Sequence, residues 1–205
     1  MRRLGGWPIV GVAAAAVAVV LAADVAMLGA GEPGIRFALR ATARMALVPF
    51  LAAFVASSAA RTWPGPATRW MLANRRYLGV SFAVIHLVHG AAILTFATLY
   101  AAEFRANEPL AIIVLGGLGY VFVLALLATS FDRTAAWLGP RRWARLHTTG
   151  IYYLWTIFFV TYAPQIGRGP VQAAATLLLV GAMGLRLATR RPAVALSAGP
   201  RVGAA

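Results

Sequence analysis

The sequence contains no cysteine and no lysine, and only five of its 205 residues are acidic. Without cysteine, the chain cannot form disulfides, thiolate zinc sites, iron–sulfur clusters or a cysteine nucleophile. Charged residues make up 12% of the chain, whereas 61% of the residues are hydrophobic and the mean hydropathy is +0.77. A soluble domain carries about twice this charged fraction. The composition therefore argues against a soluble globular enzyme and excludes a disordered chain.

Six apolar stretches are long enough to cross a bilayer, whose hydrocarbon core takes about 20 residues as a helix. Their Ala, Leu and Val runs lack the alternation of a membrane barrel strand. The first stretch exceeds the apolar core of a signal peptide, so we expect it to stay uncleaved. We predict an all-α integral membrane six-helix bundle over residues 1–191 and a disordered cytoplasmic tail over residues 192–205. The predicted spans run from about Pro8 to Ala30, Phe37 to Ala60, Tyr77 to Ala101, Leu110 to Thr129, His147 to Ala163 and Val171 to Ala188.

The arginines concentrate on alternate sides of these spans. Two precede the first span, four lie between spans two and three, four between spans four and five, and four close or follow span six. The other connections are poor in arginine, which by the positive-inside rule predicts that both termini are cytoplasmic. This pattern accounts for the net charge of +14, so we expect no nucleic-acid partner. The inner-side arginines are Arg2, Arg3, Arg61, Arg69, Arg75, Arg76, Arg133, Arg141, Arg142, Arg145, Arg186, Arg190, Arg191 and Arg201.

Few ionisable side chains lie inside the predicted spans, where they are costly and therefore candidates for function. His86 and His89 share one face of the third span, and His147 opens the fifth. Imidazole without a supporting carboxylate suits axial ligation of heme iron between helices. The alternative is that these histidines form hydrogen bonds to neighbouring helices. From spacing alone, both interpretations remain open.

A second group of charged residues is expected near the outer ends of spans one and two. Arg40 and Arg44 are four residues apart, and Asp24 lies at a similar predicted depth. One interpretation is an ion pair between Asp24 and one arginine. The other is that Arg40 or Arg44 holds a heme propionate or a quinone head group through charge-assisted hydrogen bonds.

Several motifs in spans three to five resemble a known family. Residues 75–79, Arg-Arg-Tyr-Leu-Gly, are followed ten residues after the glycine by His89. Residues 129–131, Thr-Ser-Phe, precede residues 138–147, Leu-Gly-Pro-Arg-Arg-Trp-Ala-Arg-Leu-His. This order resembles the ferric reductase-like transmembrane domain family. The stretch over residues 138–147 is similar to the entrance of the fifth helix in the heme-binding subunit of the bacterial methionine sulfoxide reductase system.

The resemblance implies a six-helix b-type cytochrome in a bacterial cytoplasmic (inner) membrane, with heme between helices three and five. One heme b, or two, would be ligated by His147 with His89 or His86. The motif favours His89, whereas counting from Arg76 and Arg142 as markers of one interface places His86 nearer in depth to His147. Because a further histidine of the sulfoxide reductase subunits is replaced here by Val160, only three histidines are available.

The resemblance also implies that the chain is the electron-transfer subunit of an oxidoreductase. A quinol or a cytoplasmic flavoprotein would donate electrons, with quinone or flavin as the donor cofactor, since the chain has no Gly-rich dinucleotide fingerprint. A periplasmic reductase at the outer face would accept them. From their position just before His147, two roles stay open for Arg141, Arg142 and Arg145: pairing with heme propionates, or anchoring at the inner face. The alternative function is a non-redox membrane protein, either a small transporter or an assembly partner, without heme.

Overall fold

The computed structural model describes residues 5–190, so the predicted tail over residues 192–205 lies outside the described residues. Within this part the chain is almost entirely helical. The helices are α1 (Trp7–Leu28), α2 (Glu32–Thr62), α3 (Pro66–Ala73), α4 (Arg75–Leu99), α5 (Ala101–Asn107), α6 (Leu110–Ala128), α7 (Asp132–Leu138), α8 (Pro140–Tyr162) and α9 (Pro170–Ala188), with a 3₁₀ segment at Ala163–Arg168. The all-α prediction is confirmed for the described residues.

Five of these helices, α1, α2, α4, α6 and α9, are long and apolar enough to cross a membrane. They correspond to five of the six predicted spans, with ends that differ by up to five residues. The fifth predicted span lies in α8, which has 23 residues and a length of about 34 Å. Its tyrosines, tryptophans, threonines and first-turn arginines make α8 less apolar than the other long helices. The transmembrane character is therefore supported, and the count of six spans stays a prediction.

Five helices close into a ring. Helix α2 packs on α4, α4 on α6, α6 on α8, α8 on α9, and α9 packs back on α2. Helix α1 lies outside this ring, against α2 and α4. Helices α4 and α8 thus face each other across the interior. We call the end where α2 and α9 finish and α4 and α8 begin the arginine-rich end.

The interior of the ring is filled by aromatic side chains. The Phe50 ring packs against Phe82 and Phe158 at centroid distances of 5.2 and 5.0 Å, and Phe82 and Phe158 are 6.1 Å apart. Phe54 stacks on Phe50 at 5.7 Å. Each such pair contributes about 0.5–1.5 kcal/mol beyond burial of its area. This cluster links α2, α4 and α8 near the middle of the bundle.

Local backbone chemistry sets where α8 begins. Gly139 has a φ of 77°, a left-handed conformation that glycine adopts without strain, and it separates α7 from α8. Pro140 follows as the first residue of α8, where a missing amide hydrogen costs nothing. The first turns of α8 pack on the short helix α7 and carry exposed arginines. They extend the helix beyond the packed ring.

Candidate functional site

His89 is held on α4 by a hydroxyl of α2. Its Nδ1 lies 3.0 Å from Oγ1 of Thr42, a residue with no exposed surface. The Thr42 hydroxyl donates its single hydrogen to the Ala38 carbonyl at 2.6 Å, so it can only accept from His89. Nδ1 of His89 therefore carries a hydrogen, and in the neutral imidazole Nε2 keeps a free lone pair. This is the arrangement of a metal-ligating histidine, whose second nitrogen is fixed by a hydrogen bond.

His86 lies one turn earlier on α4, with its ring 5.3 Å from that of His89. It packs among aromatic rings: the Tyr120 ring stacks on it at 5.0 Å, and the Phe82 and Phe158 rings lie at 5.1 and 5.9 Å. The Tyr120 hydroxyl donates to the His86 backbone carbonyl at 3.2 Å. Among the described residues, Nδ1 of His86 is one of two buried side-chain atoms without a hydrogen-bond partner. His86 is thus packed as part of the aromatic interior.

His147 lies in a different part of the bundle. Its Nε2 is 2.9 Å from Oγ1 of Thr129, at the end of α6, and the Trp143 ring stacks on it at 4.1 Å. The Thr129 hydroxyl donates to the Ala125 carbonyl at 2.7 Å, so it accepts its other bond from His147. Both of its close partners belong to the arginine-rich end.

The contacts between helices fix how far His147 lies from the other two histidines. On α8, the residue beside His86 is Phe158, which is eleven residues, or about 16 Å along the axis, beyond His147. On α6, Tyr120 stacks on His86 whereas Thr129 contacts His147, which gives an offset of about 14 Å. His89 lies one turn further still. The structure therefore brings His86 and His89 together and does not bring His147 to either of them.

This register bears on heme ligation. The two axial ligands of one heme flank a single iron atom and must lie at one depth between their helices. His147 and either histidine of α4 do not meet that requirement. Nor do the described residues contain a group of three or more His, Cys, Asp or Glu side chains that could hold a metal ion. His86 also has an unpartnered ring nitrogen, but no hydrogen bond among the described residues fixes its ring. His89 combines a ring fixed at Nδ1 with an Nε2 left over, which suits an axial ligand.

The ion pair between Asp24 and an arginine, one of the two interpretations of these residues, does not form. Asp24 is only 5% exposed and lies beside Gly34, near the start of α2. Arg40 and Arg44 follow Gly34 by six and ten residues, which places them about 9 and 15 Å further along α2. Both arginines are exposed, and no ion pair within 4.0 Å joins either of them to another described residue. The Asp24 Oδ1 atom has no hydrogen-bond partner among the described residues.

Arg142 and Arg145 lie in the exposed first turns of α8. Neither makes a hydrogen bond or ion pair to another residue of the described 5–190 range. Their position suits anchoring at a membrane surface, and pairing with heme propionates remains a prediction. Thr42 and Thr129, which fix the imidazoles, were not predicted. A threonine in an apolar span has no distinctive pattern, and its helical partner becomes known only with the register between helices.

Together these observations define the class of protein: an all-α protein with five helices able to span a membrane, and with histidines inside the bundle. Comparison of the chain with models of known protein families, with curated proteins and with solved structures finds no match.

Proposed function

We propose that this chain is a membrane-embedded b-type cytochrome that carries electrons across the bilayer, with His89 as an axial ligand of its heme. The observation that supports this most directly is the hydrogen bond from His89 Nδ1 to Thr42, which leaves Nε2 free inside the bundle. The resemblance of residues 75–79 and 138–147 to ferric reductase-like domains supports the same class. When bound, the heme would supply one-electron redox chemistry.

The roles of the protein residues follow from their surroundings. Thr42 holds the His89 ring in one tautomer and one orientation. His86 fills the space beside it with a ring stacked on Tyr120. Because His147 lies at another depth, we assign it no part in the ligation of a heme held by His89. Arg40 and Arg44, exposed on the half of α2 away from the arginine-rich end, are available to a propionate or a quinone head group.

The wider setting belongs to the same proposal. We place the chain in a bacterial cytoplasmic membrane with the arginine-rich end inside, in accordance with the positive-inside rule. A quinol or a separate flavoprotein would donate electrons at one face, and a reductase partner or other acceptor would take them at the outer face.

A second function is favoured by the aromatic cluster. The rings of Phe50, Phe82 and Phe158 fill the space between α4 and α8, where a heme shared by these helices would lie. Filled cores of this kind are well suited to a purely structural bundle. In a non-redox membrane protein, such as a small transporter or an assembly partner, the three histidines would serve only as contacts between helices.

Heme content and optical spectra separate these functions. The protein would be purified in detergent from heme-replete cells, and its heme-to-protein ratio and reduced-minus-oxidised spectrum would be measured. We expect heme in the wild type, its loss in His89→Gln, and its retention in the matched control His86→Gln, one turn away on the same helix. We also expect His147→Gln to keep a wild-type spectrum.

Each result has a definite consequence. A wild type without heme would refute the cytochrome and favour the non-redox function. If His89→Gln kept its heme and His147→Gln lost it, the axial ligand would be at the arginine-rich end, and the assignment to His89 would be refuted.

A further inference from the structure

A cavity of about 270 Å³ lies at the arginine-rich end, between α2, α4, α8 and the end of α9. Among the described residues, every side chain that lines it is an arginine or carries a hydroxyl. The four arginines come from three different helices and the residues just after α9, so the sequence does not place them together. The lining residues are Ser57, Ser58, Arg61, Arg75, Thr148, Tyr152, Arg186 and Arg190.

No acidic side chain supplies the cavity with a counter-charge. All five acidic residues of the chain lie in the described part, and none of them lines the cavity. The two ion pairs found in residues 5–190 are Arg36 with Glu32, at the opposite end, and Arg76 with Asp132, outside the cavity. Four guanidinium groups around a small, partly enclosed space repel one another, and an anion between them would offset that cost.

Two of the arginines are held in place by the protein. Arg186 donates from one terminal nitrogen to the Phe54 carbonyl at 2.7 Å, and its guanidinium lies 4.5 Å from the centre of the Phe54 ring. Arg75 donates to the Ala53 carbonyl at 3.1 Å and to the Ser57 hydroxyl at 3.4 Å. In each case the second terminal nitrogen makes no hydrogen bond within the described residues. Five donors per guanidinium thus leave several free to bind a ligand.

Hydroxyl groups of the lining form hydrogen bonds with three of these arginines. Tyr152 accepts hydrogen bonds from Arg186 at 3.3 Å and from Arg190 at 3.0 Å. Its own hydroxyl hydrogen makes no bond to another described residue and remains available as a donor. Arg61 donates to the Ser58 hydroxyl at 3.2 Å. The lining therefore presents fixed positive charge and hydrogen-bond donors, which together match a phosphate group.

The depth of the cavity indicates where that phosphate comes from. It lies where α2 and α9 finish and α4 and α8 begin, at the ends of helices that are long enough to span a bilayer. Lipid phosphates occupy this depth, and basic pockets between transmembrane helices bind anionic head groups. We propose that the cavity binds the phosphate of an anionic phospholipid. This site is independent of any heme at His89.

The test uses the full chain in detergent and follows its thermal unfolding as lipid is added. Dioleoyl phosphatidylglycerol is the anionic probe, dioleoyl phosphatidylcholine the zwitterionic control, and inorganic phosphate the third arm. We expect phosphatidylglycerol to raise the Tm and the other two to have little effect. Removal of a charge-assisted hydrogen bond in Arg186→Gln should raise the lipid concentration for half of this shift by about tenfold.

The variants separate a specific site from general attraction to charge. Arg133→Gln removes one positive charge from exposed α7 at the same end, outside the cavity, and should respond to lipid as the wild type does. If Arg186→Gln does not fold, Arg190→Gln, which alters an exposed residue, tests the same lining. A Tm rise of equal size with phosphatidylcholine or with inorganic phosphate would overturn the lipid site. If Arg133→Gln weakened the Tm response to phosphatidylglycerol as much as the cavity variants do, that result would overturn the lipid site as well.

Discussion

Thr42→Val is the substitution that best tests how His89 is fixed. Valine keeps the shape of threonine and removes the hydroxyl oxygen that accepts from His89 Nδ1. A buried N–H left without an acceptor costs about 1–3 kcal/mol in soluble proteins. Measured couplings inside membrane bundles are smaller, about 0.6 kcal/mol on average and up to about 1.7. Since Thr42 is fully buried, we expect a coupling of about 1 kcal/mol between Thr42 and His89.

A double-mutant cycle measures this coupling directly. The free energy of unfolding in detergent would be compared for the wild type, Thr42→Val, His89→Leu and the double variant. Thr98→Val is the matched control, because the Thr98 hydroxyl also donates to the carbonyl four residues earlier, that of Leu94. Unlike Thr42, Thr98 is exposed and makes no hydrogen bond to His89. We expect no coupling for the control. If Thr42→Val cost the same with and without His89, to within about 0.3 kcal/mol, the hydrogen bond and the tautomer deduced from it would be refuted.

Two further predictions concern the fold. Gly34→Ala should destabilise the protein by about 2 kcal/mol, because an added Cβ would overlap the Gly29 carbonyl oxygen and the backbone cannot move aside easily. In the same unfolding assay, the control Gly181→Ala should be neutral or stabilising, since nothing lies near its added Cβ. Equal effects of the two substitutions on the free energy of unfolding would contradict this packing. Because the chain has no cysteine, Ala106→Cys on α5 and Ala136→Cys on α7, both exposed, can be labelled singly in intact cells with a membrane-impermeant maleimide. The positive-inside rule predicts labelling at position 106 only, and labelling of both or the reverse would refute the orientation.

The sequence predicted the long apolar helices well. The span predicted from Leu110 to Thr129 corresponds to α6, and that from Val171 to Ala188 corresponds to α9. Apolar runs of this length leave little choice, because in lipid the backbone must satisfy its own hydrogen bonds. The helix that contains the span predicted from Phe37 begins earlier, at Glu32, and an i,i+4 ion pair between Glu32 and Arg36 supports its first turns.

The short helices were not predicted. Helices α3, α5 and α7 have seven or eight residues and lie in the connections between long helices. A helix of two turns has too few apolar residues to show the 3.6-residue hydrophobic periodicity in the sequence. Such short helices form because the bundle fixes their ends. One of them bears on the position of His147, since α7 packs against α8, the helix that carries this histidine.

Those first turns explain why the sequence misjudged the depth of His147. The comparison of His86 with His147 used Arg76 and Arg142 as markers of one interface. In the structure, Arg142 is exposed in the part of α8 that extends beyond the ring. Arg75, beside Arg76, instead reaches into the bundle and bonds to the Ala53 carbonyl of α2. Long arginine side chains reach the surface from different backbone depths, so two of them do not define a common level.

His89 and His147 are each held by a threonine hydroxyl, but through different ring nitrogens. In both cases a threonine bonds back to the carbonyl four residues earlier and accepts a hydrogen bond from the imidazole. At His89 the bonded atom is Nδ1, so the free lone pair is on Nε2, the outermost atom of the side chain. At His147 the bonded atom is Nε2, which leaves Nδ1, next to the backbone and within a ring that Trp143 stacks against. Nδ1 is the less accessible atom for a bulky porphyrin. The hydrogen-bonding pattern thus favours His89 over His147 as an iron ligand, independently of the register between their helices.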